Sequence, residues 1–223
     1  MNANVDIKFV AKLHIVKYIT VRYLQSFHKV KFIKRFININ EKSLLDFGGG
    51  SGAFCGYLKE NFPSVSVHIY DPSTDSLSRA KSLFNFKDHE LFSEVNQINQ
   101  NFDILTSFFV YAYVPDKVKF WNDLSGFLKI NGLLFVEVDN RDGIYFKLTK
   151  NKKRPIENWN IDLKIITDDL YFLGSYNSPW SNHMSEIYFK GGIIYKLFKY
   201  ILRFTEILFN QTESRIYIFR KVK

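Results

Sequence analysis

The chain has 223 residues, of which 46% are hydrophobic and 17% aromatic, so it suits one folded α/β domain with additions and excludes an intrinsically disordered protein. The net charge of +9 is confined to the two ends of the chain, which argues against a nucleic-acid surface across the whole domain. A single cysteine, Cys55, excludes a disulfide framework and a cysteine-based zinc site, and with no secretory signal visible we expect a cytoplasmic protein.

The N-terminal segment mixes apolar and basic residues at helical spacing. We predict one or two helices between Phe9 and Phe36, with Leu24 among the inward-facing residues and Lys34 among the outward-facing ones. Residues 1–40 are therefore interpreted as a helical extension, placed where it could form a lid over a site in the domain that follows.

Strands and helices alternate after this extension. The predicted strands are 43–47, 65–70, 90–95, 102–107, 133–138 and 215–222, and the predicted helices are 53–61, 76–84, 116–128 and 193–209. This alternation predicts parallel βαβ units, and hence a doubly wound α/β sheet with helices on both faces. It decays after Val138, and residues 141–154 are predicted to form a loop or a short helix.

A glycine-rich loop follows the first strand and reads Asp46-Phe-Gly48-Gly-Gly-Ser-Gly52. Glycines let the backbone turn sharply and let a ligand approach it closely. The spacing from Gly48 to Ala53 also matches a dinucleotide fingerprint, so the glycines alone allow two cofactors. Negative charge at Asp46 opposes a pyrophosphate but suits a cationic sulfonium ligand.

Five segments in order resemble the motifs of class I S-adenosylmethionine-dependent methyltransferases of the small-molecule type. They are LLDFGGGSGAF, IYDPS, FSEVNQINQNFDILTS, FFVYAYVPD and FLKINGLLFVEVDN, and together they span residues 43–140. The resemblance implies a Rossmann-like, seven-stranded, mostly parallel sheet. It also implies a donor-binding domain over residues 41–223, with segments that contact the methyl acceptor in 141–213.

Site residues are carried over from the same motifs. The resemblance places Asp46 near the methionine ammonium of the donor, mainly by orienting loop amides and water, and Asp71 at the ribose hydroxyls. The remaining implied donor contacts are Gly48, Gly49, Gly50, Gly52, Pro72, Glu94, Val95, Ser107 and Phe108. S-adenosylmethionine is the implied cofactor, S-adenosylhomocysteine the product, and no metal is expected.

The acceptor side departs from the family pattern. Ala112-Tyr113 stands where many relatives have Glu-His, which puts histidine-based catalysis at that point in doubt. Candidate catalytic residues are Tyr113, Asp139 and His183, because a hydroxyl acceptor would need a base to take its proton. We expect a small-molecule or glycan-type acceptor. A nicotinamide-dependent oxidoreductase and a non-catalytic donor-binding protein stay open as alternatives.

The basic ends allow a further partner. Residues 1–45 carry nine Lys/Arg and two Asp/Glu, residues 187–223 carry eight and two, and the stretch between them is net negative. In the predicted helix 193–209, Lys196, Lys199 and Arg203 lie opposite an apolar face that includes Leu197 and Ile201. Either that apolar face packs on the sheet, or the basic surface contacts anionic lipid or a lipid-linked acceptor at the membrane periphery.

Overall fold

The structure is a computed structural model that describes residues 15–139, 161–178, 197, 201 and 214–223. Its helices are α1 (Ile15–Ile33), α2 (Ala53–Asn61), α3 (Thr74–Phe84) and α4 (Lys117–Gly126). Its strands are β1 (Ser43–Phe47), β2 (Ser66–Tyr70), β3 (Leu91–Phe92), β4 (Phe102–Phe108), β5 (Leu128–Asp139), β6 (Leu170–Asn177) and β7 (Ser214–Lys221). Short 3₁₀ turns cover Asp88–Glu90, Val95–Gln97, Tyr111–Tyr113 and Leu163–Ile165.

The seven strands form one sheet in the order β3-β2-β1-β4-β5-β7-β6. Strands β1 to β5 pair in parallel, and β7 runs antiparallel to both β5 and β6. The doubly wound, mostly parallel α/β sheet predicted from the sequence is therefore confirmed. Its strand order reverses between β1 and β4, and the crevice at the carboxyl ends of those strands is where sheets of this kind bind ligands.

Both faces of the sheet are covered, because alternate residues of each strand point to opposite sides. Leu44 packs in one core cluster with Phe32 of α1 and Phe135 of β5. Leu45 packs in a second cluster with Trp121 of α4. Helix ends are fixed locally: the side chain of Ser73 accepts the amide of Ser76, and the side chain of Asp116 accepts the amide of Lys119.

Helix α1 is rotated relative to the prediction. Leu24, predicted to face inward, is 53% exposed, whereas Gln25, Ser26 and Lys29 are buried. Buried Val21, one turn before Gln25 and two turns before Lys29, marks the face that meets the sheet, and Leu24 lies off it. The prediction for Leu24 is wrong because polar side chains, those of Gln25, Ser26 and Lys29, occupy the buried face of this part of the helix.

Three other elements differ from expectation. Strand β3 is limited to Leu91–Phe92, because the side-chain carbonyl of Gln97 accepts the amides of Ser93 and Glu94 and turns the chain away. Strand β5 begins at Leu128, within the predicted helix. Strand β6 was not predicted; it lies at the sheet edge, and most of its residues are partly or fully exposed, which weakens the hydrophobic signal.

The acceptor-side segments are only partly described. The predicted loop 141–154 lies outside the described residues, and of the predicted helix 193–209 only Leu197 and Ile201 are described. Both are helical and are 59% and 55% exposed, which does not fit the first of the two alternatives, in which this apolar face packs on the sheet. Within the described ranges, no helix is long and apolar enough to cross a membrane.

Candidate functional site

The glycine loop joins β1 to α2 at the point where the strand order reverses. Gly48, Gly50 and Gly52 have φ values of +81°, +56° and +72°, in the left-handed region that favours glycine. The amides of Gly48 and Gly49 both donate to the carbonyl of Tyr70, at 2.7 and 3.1 Å, which ties the loop to the end of β2. The positive φ values explain why this turn is built from glycine.

The loop glycines differ in what surrounds them. A Cβ at Gly48 would lie 2.3 Å from Cγ2 of Val110, and one at Gly52 would lie 2.8 Å from Cδ1 of Ile69. A Cβ at Gly50 would meet no atom within 4 Å. The backbone at Gly50 therefore borders open space at the crevice, as a cradle for a ligand requires.

Asp71 follows β2 and faces this cradle. One carboxylate oxygen accepts the amide of Gly50 at 2.8 Å, and the other accepts the amide of Ser73 at 2.9 Å. The backbone amide of Asp71 donates to the carbonyl of Phe92, so β3 fixes its position from the other side. The carboxylate is partly exposed, and its remaining lone pairs can accept hydroxyl donors from a ligand.

Asp46, at the end of β1, is buried beneath the same loop. Its Oδ1 accepts the hydroxyl of Thr106 at 2.7 Å, and its Oδ2 lies 2.9 Å from where a Cβ on Gly49 would be. Burial raises the pKa of Asp46 to about 6, while Lys29 and Thr106 act in the opposite direction. Among the described residues no loop amide donates to this carboxylate, and the expectation that Asp46 orients loop amides and water stays a prediction.

Lys29 of α1 lies beside these residues, and the sequence analysis did not single it out. It is buried, and its Nζ lies 3.9 Å from the ring centroid of Phe108 and 5.6 Å from that of Phe54. Burial lowers the pKa of Lys29 to about 8, although Glu137 and Asp46 favour its charged form. Glu137 is also buried and accepts the hydroxyl of Ser214 at 2.8 Å. No sequence motif marks Lys29, and only the helical phase of α1 could have indicated it.

The chain is bent sharply where β4 leaves the sheet. Phe109 has a φ of +62°, a left-handed conformation that costs a bulky residue on the order of 1–2 kcal/mol. Its amide donates to the carbonyl of Glu137 at 2.9 Å, and the guanidinium of Arg22 lies 5.4 Å from its ring centroid. Strained conformations of this kind cluster at binding sites, and this one borders the crevice.

The other predicted donor contacts lie on neighbouring elements. Pro72 and Glu94 are exposed, Val95 and Phe108 are partly buried, and Ser107 is fully buried. The hydroxyl of Ser107 has no hydrogen-bond partner within the described part of the chain. The structure thus brings the glycines, Asp46, Asp71 and Phe108 to the carboxyl ends of β1, β2 and β4, with Glu94 and Val95 just beyond β3.

The candidate catalytic residues Tyr113 and Asp139 lie on separate elements. Tyr113 is 54% exposed on the 3₁₀ turn after β4, whereas Tyr111 is buried against Phe120 and Trp121. Asp139 is buried at the end of β5, in register with Ser214. His183 lies outside the described residues. Within the described ranges, no group of three or more His, Cys, Asp or Glu side chains could hold a metal ion.

Comparison with known proteins assigns the family. A family model described as a methyltransferase domain matches residues 21–167, more than half of the chain. The chain belongs to this family. By family and fold it contains a class I S-adenosylmethionine-dependent methyltransferase domain, which confirms the resemblance seen in its motifs and favours S-adenosylmethionine over a nicotinamide cofactor.

Individual relatives of this methyltransferase are distant. A malonyl-[acyl-carrier protein] O-methyltransferase from Ilyobacter polytropus is 25% identical over 150 residues, which are 61% of this chain and 58% of the relative. The chain thus aligns with less than two thirds of that relative's length.

Two solved structures share the fold. Coclaurine N-methyltransferase bound to N-methylheliamine and S-adenosylhomocysteine has a TM-score of 0.58 at 13% identity, covering 87% of this chain and 72% of its own. The plantazolicin methyltransferase BpumL, in complex with a pentazolic desmethylPZN analogue and S-adenosylhomocysteine, has a TM-score of 0.55 at 14% identity, covering 98% of this chain and 90% of its own.

The buried carboxylate Asp46 leads to a prediction about stability and pH. Its pKa is higher in the folded than in the unfolded chain, so its stabilising contribution is fully present below about pH 4 and is lost as pH rises through about 6. In Asp46→Asn this loss is absent. We expect the free energy of unfolding of Asp46→Asn, relative to the wild type, to rise by about 2 kcal/mol between pH 4 and pH 7 in urea denaturation.

Asp103 provides the control of opposite sign. Its pKa is held well below the usual range by hydrogen bonds from Ser43 and by Lys129, which outweigh the opposing effect of partial burial. Its stabilising contribution is therefore present above about pH 4 and lost below it. Asp103→Asn should become less stable relative to the wild type as pH rises. Parallel pH profiles for the two variants would contradict at least one of the two assignments.

Proposed function

We propose that this methyltransferase transfers the methyl group of S-adenosylmethionine to a small-molecule or glycan-type acceptor and releases S-adenosylhomocysteine. The observation that supports this most directly is the open backbone at Gly50, flanked by the carboxylates of Asp71 and Asp46. When bound, S-adenosylmethionine supplies a methyl group already activated by the positive charge on sulfur. The protein then has mainly to bind, align and exclude water.

The donor-side roles follow from where each group lies. Asp71 is proposed to accept the ribose hydroxyls while keeping its bond to the Gly50 amide. Asp46, buried and without a hydrogen bond from a loop amide, is proposed to compensate positive charge at the methionine end. The remaining proposed donor contacts are Gly48, Gly49, Gly52, Pro72, Glu94, Val95, Ser107 and Phe108.

The acceptor-side roles concern the proton that leaves the acceptor. Asp139, buried at the end of β5, and Tyr113, exposed on the turn after β4, are proposed to border the acceptor together with His183. An amine or acidic acceptor needs little proton chemistry, whereas a sugar hydroxyl needs one of these groups as a base. O- and N-methylation are both compatible with this arrangement.

Isothermal titration with S-adenosylmethionine, S-adenosylhomocysteine and NAD(H) tests the donor assignment. We expect binding of the first two and none of NAD(H); binding of NAD(H) alone would revive the oxidoreductase alternative. Transfer of radiolabelled methyl to separate pools of amines, glycans and malonyl thioesters then tests the acceptor class. Donor binding without transfer to any pool would favour a non-catalytic donor-binding protein.

Contact with anionic lipid stays a prediction, and exposed residues of α1 support it. Leu24 and Phe27 are 53% and 52% exposed, and Lys31 and Lys34 on the same helix are also exposed. Apolar side chains flanked by basic ones are typical of helices that lie on anionic membranes. Co-sedimentation with phosphatidylserine liposomes that weakens as salt is added would support this contact, and no binding at low salt would exclude it.

A further inference from the structure

The side chain of Lys29 enters the protein beside the donor-side residues. It leaves the middle of α1 and is only 4% exposed. Its Nζ lies 3.9 Å from the ring centroid of Phe108, at the end of β4, and 5.6 Å from that of Phe54, in the first turn of α2 behind the glycine loop. The side-chain ammonium of Lys29 therefore reaches from α1 to the place where β4 and α2 meet.

Burying the ammonium of Lys29 costs free energy, so the charges around it indicate what this ammonium binds. Transferring a charged group from water to the interior costs several kcal/mol unless other charges and hydrogen bonds compensate it. Two buried carboxylates, Glu137 and Asp46, favour the charged form of Lys29. Lys29 in turn favours the ionised form of Asp46. The buried cation Lys29 thus lies among two buried carboxylates, of which Asp46 is beneath the glycine loop.

The methionine end of the donor has the complementary chemistry. It carries an ammonium and a carboxylate on the same carbon, and each needs an opposite charge when it leaves water. Asp46 offers a carboxylate for the ammonium, and Lys29 is the buried cation among the donor-side residues of the described chain. Arg22 lies two turns earlier on α1, but it is only partly buried, beside Phe109.

We propose that Lys29 binds the carboxylate at the methionine end of the donor, so that α1 forms part of the donor site. This proposal rests on the proposed function, because it requires S-adenosylmethionine as the ligand. Donor binding then replaces the mutual influence of Lys29 and Asp46 with two ion pairs to the ligand. Through Lys29 the bound donor holds helix α1 in place, and Lys29 is a donor-binding residue.

A comparison of ligands with and without the carboxylate tests the proposal. The ligands are S-adenosylhomocysteine and its decarboxylated analogue S-adenosyl-3-thiopropylamine, titrated calorimetrically into the wild type, Lys29→Met and Lys31→Met. We expect the wild type to prefer S-adenosylhomocysteine by about tenfold or more, as for a hydrogen bond to a charged group. Lys29→Met should lose this preference while binding the analogue about as well as the wild type does.

Lys31→Met is the matched control, because Lys31 is exposed on the same helix. It should keep the wild-type preference. A Lys29→Met variant that keeps the preference, or loses affinity for both ligands equally, would overturn the proposal. No binding of S-adenosylhomocysteine by the wild type would instead contradict the proposed function itself.

A second measurement avoids a variant that fails to fold. Removing Lys29 takes away a buried positive charge beside the carboxylates of Glu137 and Asp46, so Lys29→Met can lose stability. Binding of 5′-methylthioadenosine, which lacks the whole amino-acid end, reports whether the nucleoside half of the site is intact. In the wild type, hydrogen exchange should show stronger protection of α1 amides by S-adenosylhomocysteine than by the decarboxylated analogue. Equal protection by the two ligands would overturn the proposal.

Discussion

Asp71→Ala is expected to weaken the binding of S-adenosylhomocysteine by about 100-fold or more. Hydrogen bonds to a charged group contribute about 1.5–3 kcal/mol each, and the substitution removes those to the ribose hydroxyls. It also leaves the Gly50 amide, now 2.8 Å from the carboxylate, without its partner, while the Gly48 and Gly49 amides still tie the loop to the end of β2. Isothermal titration calorimetry at neutral pH measures the change.

The matched control is Asp75→Ala. Asp75 lies four residues further on, exposed in the first turn of α3, and it carries the same charge. We expect its affinity for S-adenosylhomocysteine to stay within about twofold of the wild type, since exposed charges of this kind contribute little. If the two variants bind equally well, the role proposed for Asp71 is wrong.

Gly50→Ala is expected mainly to lose affinity for the ligand, whereas Gly48→Ala is expected mainly to lose stability. At Gly50 a methyl group meets no atom within 4 Å, so the folded protein bears only the left-handed backbone cost of about 1–2 kcal/mol. The methyl would project into the cradle, so affinity for S-adenosylhomocysteine should fall by at least about tenfold. At Gly48 the methyl would lie 2.3 Å from Val110, and we expect a loss of stability of about 2–4 kcal/mol.

Thermal denaturation and calorimetric titration together separate the two effects. Gly126→Ala serves as the control, because a Cβ at Gly126 also meets no atom within 4 Å but the residue has no positive φ and lies at the end of α4. It should bind like the wild type. A Gly50→Ala variant with unchanged affinity would show that the donor does not lie against this part of the loop.

The sequence predicted the part of the fold whose signals are local. Buried parallel strands such as β1 and β4 are rich in apolar residues, and Asp116 and the loop glycines mark where helices and turns begin. The glycine loop and Asp71 were found because their backbone requirements leave few alternatives to those residue types. Predicting their ligand required the ordered motifs, since the glycines alone allow two cofactors.

What the sequence did not predict depends on contacts far apart in the chain. Lys29 reads as one of many basic residues in the N-terminal segment, and only packing against β4 and β5 shows that it is buried. Leu24 was assigned to the wrong face because apolar character is a poor guide where a helix covers a polar region. Strand β6 forms by pairing with β7, whose residues follow it by about forty positions.

The single cysteine, Cys55, reports when helix α2 separates from the sheet. Cys55 is fully buried in α2, its Sγ lies 3.7 Å from the carbonyl of His68, and burial raises the pKa of its thiol. A thiol reagent can therefore react only during moments when α2 separates from the sheet. Because α2 begins at the glycine loop, the labelling rate of Cys55 measures how often the nucleotide cradle comes apart, and how far a bound ligand slows that event.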